Sequence, residues 1–263
     1  MACIKAVLGK LEHTARMPVL AAGQDGDLIS NSHRISVSCR PWAAGFCLIT
    51  ILGLLPAAIR AQSVHPVTGR RIAPVMSLSG AGWLDREERE REEQPEKAIA
   101  EFNLKPGMMV GDIGAGTGFY SIRIAKCVAP GGVVYANDIQ PGMLEKLQTN
   151  AAAQQVTNIV TVLGTDSDPK LPMGKLDLVI LVDVYHEFSR PQRMLDAIRE
   201  CLKPNGRLVL LEFRKEDPAV PIRPEHKMSV EEVRAEVTPE GYSFEKVVDT
   251  LPWQHIIFFH RLP

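Results

Sequence analysis

Beyond Leu104 the chain alternates between short apolar runs and longer amphipathic stretches. Runs rich in Val, Ile and Leu at Met109–Ile113, Val133–Asn137, Ile159–Leu163, Leu176–Val184 and Arg207–Phe213 each predict a strand. Helical spacing fills the intervals Tyr120–Val128, Gly142–Gln154 and Pro191–Leu202. Strands apolar on both faces and joined by helices are parallel strands covered on both sides. Right-handed crossovers then wind them into a doubly wound α/β sheet. The tail breaks the alternation. Ser229-Val230-Glu231-Glu232 is a capping box that opens a helix to Val237. Tyr242–Val248 and His255–Arg261, joined by Asp249–Gln254, predict an antiparallel hairpin at one sheet edge. The expected architecture is a mostly parallel, seven-stranded sheet ending in that hairpin.

The first 61 residues follow another pattern. Pro41–Ile59 is uncharged and mostly apolar, with Arg34 and Arg40 before it and Arg60-Ala61-Gln62 after it. A basic flank, an apolar stretch and small residues outline a signal peptide, and the length also suits a membrane anchor. Residues 1–61 are thus expected to be an extension that exports or anchors the chain. A buried helix is the competing reading, and an over-extended gene start would make the protein cytoplasmic. Residues 62–94 read as a linker rich in Pro, Gly and Ser followed by a charged helix. Trp83–Lys97 holds seven acidic and four basic side chains. Pairs such as Glu87 with Arg91 suit a solvated helix, an outer element packed by Trp83 and Leu84. The main domain is expected over 95–263.

Composition narrows the function classes. Of 263 residues, 45% are apolar and 23% charged, enough for a substantial core, and the formal net charge is -1. That balance gives no electrostatic case for a nucleic-acid partner. The five cysteines form no C-x-x-C pair and no Cys/His cluster of zinc-like spacing, so no metal centre is expected.

The most informative segment is Val110–Phe119, VGDIGAGTGF, which ends one strand and opens a helix. Glycines there let the backbone turn sharply and approach a ligand, while helix N-terminal amides point at it. Asp138, twenty residues past Gly118 at the end of the next strand, is placed to bind ribose hydroxyls. The spacing is G-x-G-x-G rather than the dinucleotide G-x-G-x-x-G. Asp112, two residues before the first loop glycine, would repel a pyrophosphate and attract a sulfonium or amino group. The loop therefore favours S-adenosylmethionine over a nicotinamide dinucleotide.

On these residues Leu104–Phe213 resembles the class I S-adenosylmethionine-dependent methyltransferases, especially their small-molecule branch, with its Rossmann-like fold. Leu104-Lys105-Pro106-Gly107 is similar to that branch's entry to the first strand, and Leu202-Lys203-Pro204-Asn205-Gly206 to its loop before the fifth. Asn205 stands where many members carry Gly. The resemblance implies a cofactor site of Asp112, Gly114, Ala115, Gly116, Thr117 and Gly118, then Asp138 with Ile139, Thr165 with Asp166 near the adenine amine, and Asp183.

The fourth strand delivers Asp183-Val184-Tyr185-His186-Glu187-Phe188 to the ligand edge. His186 is the candidate base, because imidazole titrates near neutral pH. Glu187 would orient it or bind a cationic acceptor, and Tyr185 would stack on or hydrogen-bond to the substrate. Glu212 and His226 are further candidates, whereas His255 is assigned a structural place in the hairpin. A purely structural His186, with catalysis by proximity, is the other reading. The segment Phe213–Met228 is expected to cover the acceptor pocket. No N-P-P-Y sequence follows the fourth strand, arsenite-type cysteines are missing, and Asp183–Phe188 does not match the run usual in quinone-biosynthesis enzymes. A small or lipid-like methyl acceptor remains. Two other classes stay open: a non-catalytic S-adenosylmethionine-binding protein, and an NAD(P)-dependent oxidoreductase, which Asp112 opposes.

Overall fold

The computed structural model describes residues 63–263, so the expectations for residues 1–62, including the apolar segment 41–59, lie outside the described residues. Three short helices, α1 (Ala81–Leu84), α2 (Glu88–Glu93) and α3 (Pro95–Glu101), lead into β1 (Met109–Ile113) and α4 (Phe119–Val128). Then come β2 (Val133–Asp138), α5 (Pro141–Ala153), β3 (Ile159–Leu163) and β4 (Leu176–Val182). A 3-10 turn at Tyr185–Glu187 precedes α6 (Pro191–Cys201), β5 (Leu202–Arg214), β6 (Lys227–Met228), α7 (Val230–Val237), β7 (Tyr242–Val248) and β8 (Gln254–Arg261).

The sheet runs β3-β2-β1-β4-β5-β8-β7, and β6 pairs with β5. β3, β2, β1, β4 and β5 are mutually parallel, and β8 joins β5 antiparallel before β7 closes the edge. The sheet therefore has eight strands where seven were expected. The addition is β6, whose two residues pair with Phe213 and Arg214. A two-residue strand is too short to leave a period in the sequence.

Side chains alternate across the central strands and build two cores. On one face Val179, Leu181, Leu208, Leu210, Ile257 and Phe259 pack against Leu195 and Ile198 of α6 and Val233 of α7. On the other, Leu178, Ile180, Val209, Leu211 and Phe258 pack against Ile99 of α3 and Tyr120 and Ile124 of α4. Helix boundaries follow local chemistry. Pro141 and Pro191 occupy first turns, where no amide hydrogen is needed, and the Ser229–Glu232 capping box forms with both of its bonds.

The charged run does not form one solvated helix. It breaks at Asp85 and again at Gln94, whose φ is 48°. Arg89 and Glu93 are buried, joined at 2.8 Å, and the guanidinium lies 4.1 Å from the Phe119 ring centroid. Mutual neutralisation and the aromatic face let both charges leave water. The stretch before it packs firmly as well. Arg70 makes a two-pronged bond to buried Glu236 of α7 at 3.0 and 2.9 Å, and His65 lies 3.3 Å from the same carboxylate. Residues 63–94 are thus part of the folded unit, and nothing in the packing marks a boundary at residue 95. Among the described residues no helix is long and apolar enough to cross a membrane.

Candidate active site

Strand order reverses between β1 and β4, the place where open α/β sheets leave a crevice beyond their strand ends. A cavity of about 440 Å³ opens there. Its first half is built by the β1–α4 loop. Gly114, Gly116 and Gly118 all have positive φ, at 71°, 54° and 89°. A Cβ on Gly114 would sit 2.3 Å from Val184 Cγ2, so the loop and the end of β4 approach as closely as backbone allows. Asp138 Oδ2 accepts from Gly116 N at 3.0 Å and its Oδ1 from Gln140 N at 2.9 Å, tying the acid at the end of β2 to the loop.

Asp112 is 2% exposed and accepts from Ser121 Oγ at 2.5 Å. Burial lifts its carboxyl to about 6, against the Ser121 hydrogen bond and the nearby Arg89, which favour the ionised form. Burial also raises Asp138, with hydrogen bonds from Gln140 and Gly116 opposing. Asp183 follows β4 in the left-handed region, φ 50°, an uncommon conformation for a residue with a Cβ. Gln254 Nε2 donates to its Oδ2 at 2.7 Å, while its buried Oδ1 has no hydrogen-bond partner. Burial first, then Glu93 and Glu212, push this carboxyl well above the ordinary range.

The second half of the cavity centres on His186, which is buried. Glu212, at the end of β5, divides its carboxylate between His186 Nδ1 at 2.6 Å and the Tyr185 amide at 3.0 Å. On the far side of the ring, His186 Nε2 meets His226 Nδ1 at 3.1 Å. The pairing of β6 with β5 sets His226 there, at the end of a short 3-10 turn. Burial alone would lower the His186 pKa, but Glu212 outweighs it and the ring stays above its ordinary value. Burial and the facing His186 hold His226 below its own. Glu187 is pushed up to about 7 by burial, with His186 opposing. The segment ahead of α1 forms a strap over this end: the His186 carbonyl accepts from Ala73 N at 3.0 Å and Arg70 Nη1 at 3.1 Å, and Glu187 Oε1 from Met76 N at 3.3 Å.

The cavity is lined by Asp112, Gly114, Ala115, Gly116 and Thr117, and by Asp138, Ile139, Thr165, Asp166 and Asp183. Gly118 is not among the lining residues and caps α4 instead. Thr117 gives its hydroxyl to Asp85 at 2.6 Å. His186 and Glu187 line the cavity, but Tyr185 does not. It is fully buried, edge-on to Phe188 with the Arg70 guanidinium 5.7 Å from its ring centroid, which corrects the expectation that it meets substrate. The 3-10 turn after β4 rotates successive side chains apart, so Tyr185 faces the core while its neighbour faces the cavity. His255 bonds Asp249 at 2.5 Å and Glu216 at 2.9 Å away from the cavity. Sequence reasoning missed Arg89, Val75 and Met76, all of which line it. The cluster of His186, Glu187 and His226, whose ligand atoms lie within 4.8 Å of one another, was also unforeseen, because its spacing arises only on folding.

The family model described as "Methyltransferase domain" matches residues 104–254. The chain belongs to this methyltransferase family. It is 33% identical over 118 residues to the demethylmenaquinone methyltransferase of Symbiobacterium thermophilum, covering 44% of this chain and 47% of that protein. It is 31% identical over 117 residues to the ubiquinone/menaquinone biosynthesis C-methyltransferase UbiE of Cupriavidus metallidurans, covering 44% and 48%. The similarity thus spans about half the length of these relatives. A SAM-dependent methyltransferase structure from Aquifex aeolicus superposes with a TM-score of 0.68 at 27% identity, covering 72% of this chain and 100% of that one. These matches identify S-adenosylmethionine as the cofactor of this methyltransferase, and the site fits it. A cradle closed to any Cβ at Gly114, two buried carboxylates at the strand ends and the unpartnered Asp183 Oδ1 suit a cationic nucleoside.

Proposed function

We propose that this methyltransferase alkylates a small, largely apolar acceptor with one polar edge, bound between the glycine cradle and His186. One observation carries the reading: the cradle residues line the same cavity as His186 and His226, with Glu212 buried behind His186. S-adenosylmethionine supplies an electrophilic methyl group there. Asp138 grips the sugar hydroxyls, Ile139 and Thr165 border the base with Asp166 at the rim, and Asp112 and Asp183 hold positive charge. Phe188, Phe213 and Ile222 form apolar wall toward the acceptor. At the polar edge, Glu212 fixes the His186 ring, whose Nε2 pairs with His226 Nδ1 at 3.1 Å, and the two imidazoles together face the acceptor's ionisable group. Methyl transfer is an in-line displacement, for which alignment alone is worth on the order of 7–11 kcal/mol. The names of the two quinone-pathway relatives support an acceptor of quinone-like chemistry, although Asp183–Phe188 differs from the run expected of such enzymes.

The test is label transfer from methyl-labelled S-adenosylmethionine into an extract of small molecules, with mass spectrometry of the product. A labelled, apolar, oxygen-bearing product is expected. Cofactor binding without transfer would replace this reading with that of a binding protein, and binding of NAD alone would replace it with an oxidoreductase. The apolar segment 41–59 supports export or anchoring of the chain, a proposal that N-terminal sequencing and fractionation of the native protein check.

A further inference from the structure

We propose that His186, Glu187 and His226 form a binding site for a divalent transition cation at the acceptor end of the cavity. The closest nitrogens, His186 Nε2 and His226 Nδ1, are 3.1 Å apart. Two imidazole nitrogens held about 2.1 Å from one ion stand roughly 3.0 Å apart at a right angle and about 3.4 Å apart at the tetrahedral angle. The observed separation lies between those values, so the two nitrogens already stand at the spacing that one shared ion requires. Glu187 brings the third ligand atom within 4.8 Å of both, on a carboxylate whose one hydrogen bond, from Met76 N, is long at 3.3 Å.

A second observation is independent of that spacing. His186 Nδ1 faces the buried Glu212 carboxylate at 2.6 Å. A carboxylate on the far nitrogen fixes the ring and keeps the near nitrogen's lone pair directed outward, the arrangement found behind metal-ligating histidines. The backbone is held too, since two N–H donors of the strap grip the His186 carbonyl. Without an ion the two facing nitrogens can share a single proton at most, and the buried Nε2 of His226 finds no partner.

Two imidazoles and one carboxylate suit borderline ions such as zinc, cobalt(II), nickel(II) or iron(II) better than calcium or magnesium. Three protein ligands leave positions open, and these fit an acceptor that presents adjacent hydroxyl or carbonyl oxygens. That acceptor class rests on the methyltransferase reading above; the metal site does not. It would make His186 a ligand, with the cation rather than the imidazole meeting the acceptor's oxygen.

The full chain, stripped with a chelator and titrated with cobalt(II) chloride, is expected to take up one ion per molecule, with visible d–d absorption that zinc abolishes. Glu187→Gln and His226→Gln should each weaken cobalt binding at least about tenfold, and Glu212→Gln by about 10–100-fold, with melting temperature and S-adenosylmethionine affinity preserved. Should a variant unfold, broadening of both the His186 and His226 ring signals by cobalt in the unmutated chain locates the ion. No absorption, no broadening of these rings, or equal affinity in every folded variant overturns the proposal. Cofactor binding without cobalt binding defeats the metal site alone; cobalt binding without cofactor binding defeats the methyltransferase reading alone.

Discussion

The two halves of the cavity are assembled in opposite ways. The cofactor half comes mainly from one stretch of chain, Asp112 to Ile139, folded as strand, loop, helix and strand, with Thr165, Asp166 and Asp183 added beyond the ends of β3 and β4. The acceptor half gathers His186 after β4, Glu212 on β5, His226 before β6 and the strap around Arg70 and Ala73. Local chemistry dictates the first: glycines where φ is positive and acids at strand ends. The second exists only after long-range packing, so its residues bear no mutual spacing in the sequence. A shared cofactor is served by the local half, while the half that must suit a particular acceptor is open to change through distant segments.

If the halves are separable, variants should sort cleanly. The largest effect is expected from His186→Ala, which should lower kcat by about 10²–10⁴-fold while calorimetry finds the cofactor Kd within about threefold of the original. Equal loss of cofactor binding would dissolve the distinction. Glu236→Gln removes the partner of buried Arg70 and should cost about 3–5 kcal/mol in denaturant unfolding, again with cofactor affinity retained by the folded fraction.

Asp112 supplies a pH test of the cofactor half. Its carboxyl titrates near 6 in the folded chain, against an ordinary 3.8. Between those values the folded chain holds the extra proton. The stability it contributes is therefore complete below about pH 4 and lost as pH rises through 6, by about 3 kcal/mol in total. Asp112→Asn should flatten that slope and leave the ligand-free protein more stable than the parent at pH 8, measured by urea unfolding. The same substitution should weaken S-adenosylmethionine binding by about 10–100-fold. A variant that kept full affinity would show that the charge at 112 does not serve the cofactor.

Much of the fold could be read from the sequence because its signals are periodic. β1, β3 and β7 have the expected limits, and the capping box at Ser229 forms as written. The exceptions have definite physical origins. Arg89 and Glu93 sat in a run that reads as solvated, and only Phe119 and each other's charge make their burial tolerable. Arg70 and Glu236 are separated by 166 positions, beyond any pattern. Tyr185 and His186 are neighbours that face opposite ways, which a 3-10 turn decides and a strand-like reading of Leu176–Val184 does not foresee.

The strap has a further consequence. Residues that grip the His186 carbonyl lie thirty or more positions upstream of residue 104, where the match to the family model begins. Transplanting only the matched stretch into another scaffold would carry the nucleoside cradle whole and leave the opposite chamber without its roof. The domain named by the family model and the working unit thus have different borders in this molecule.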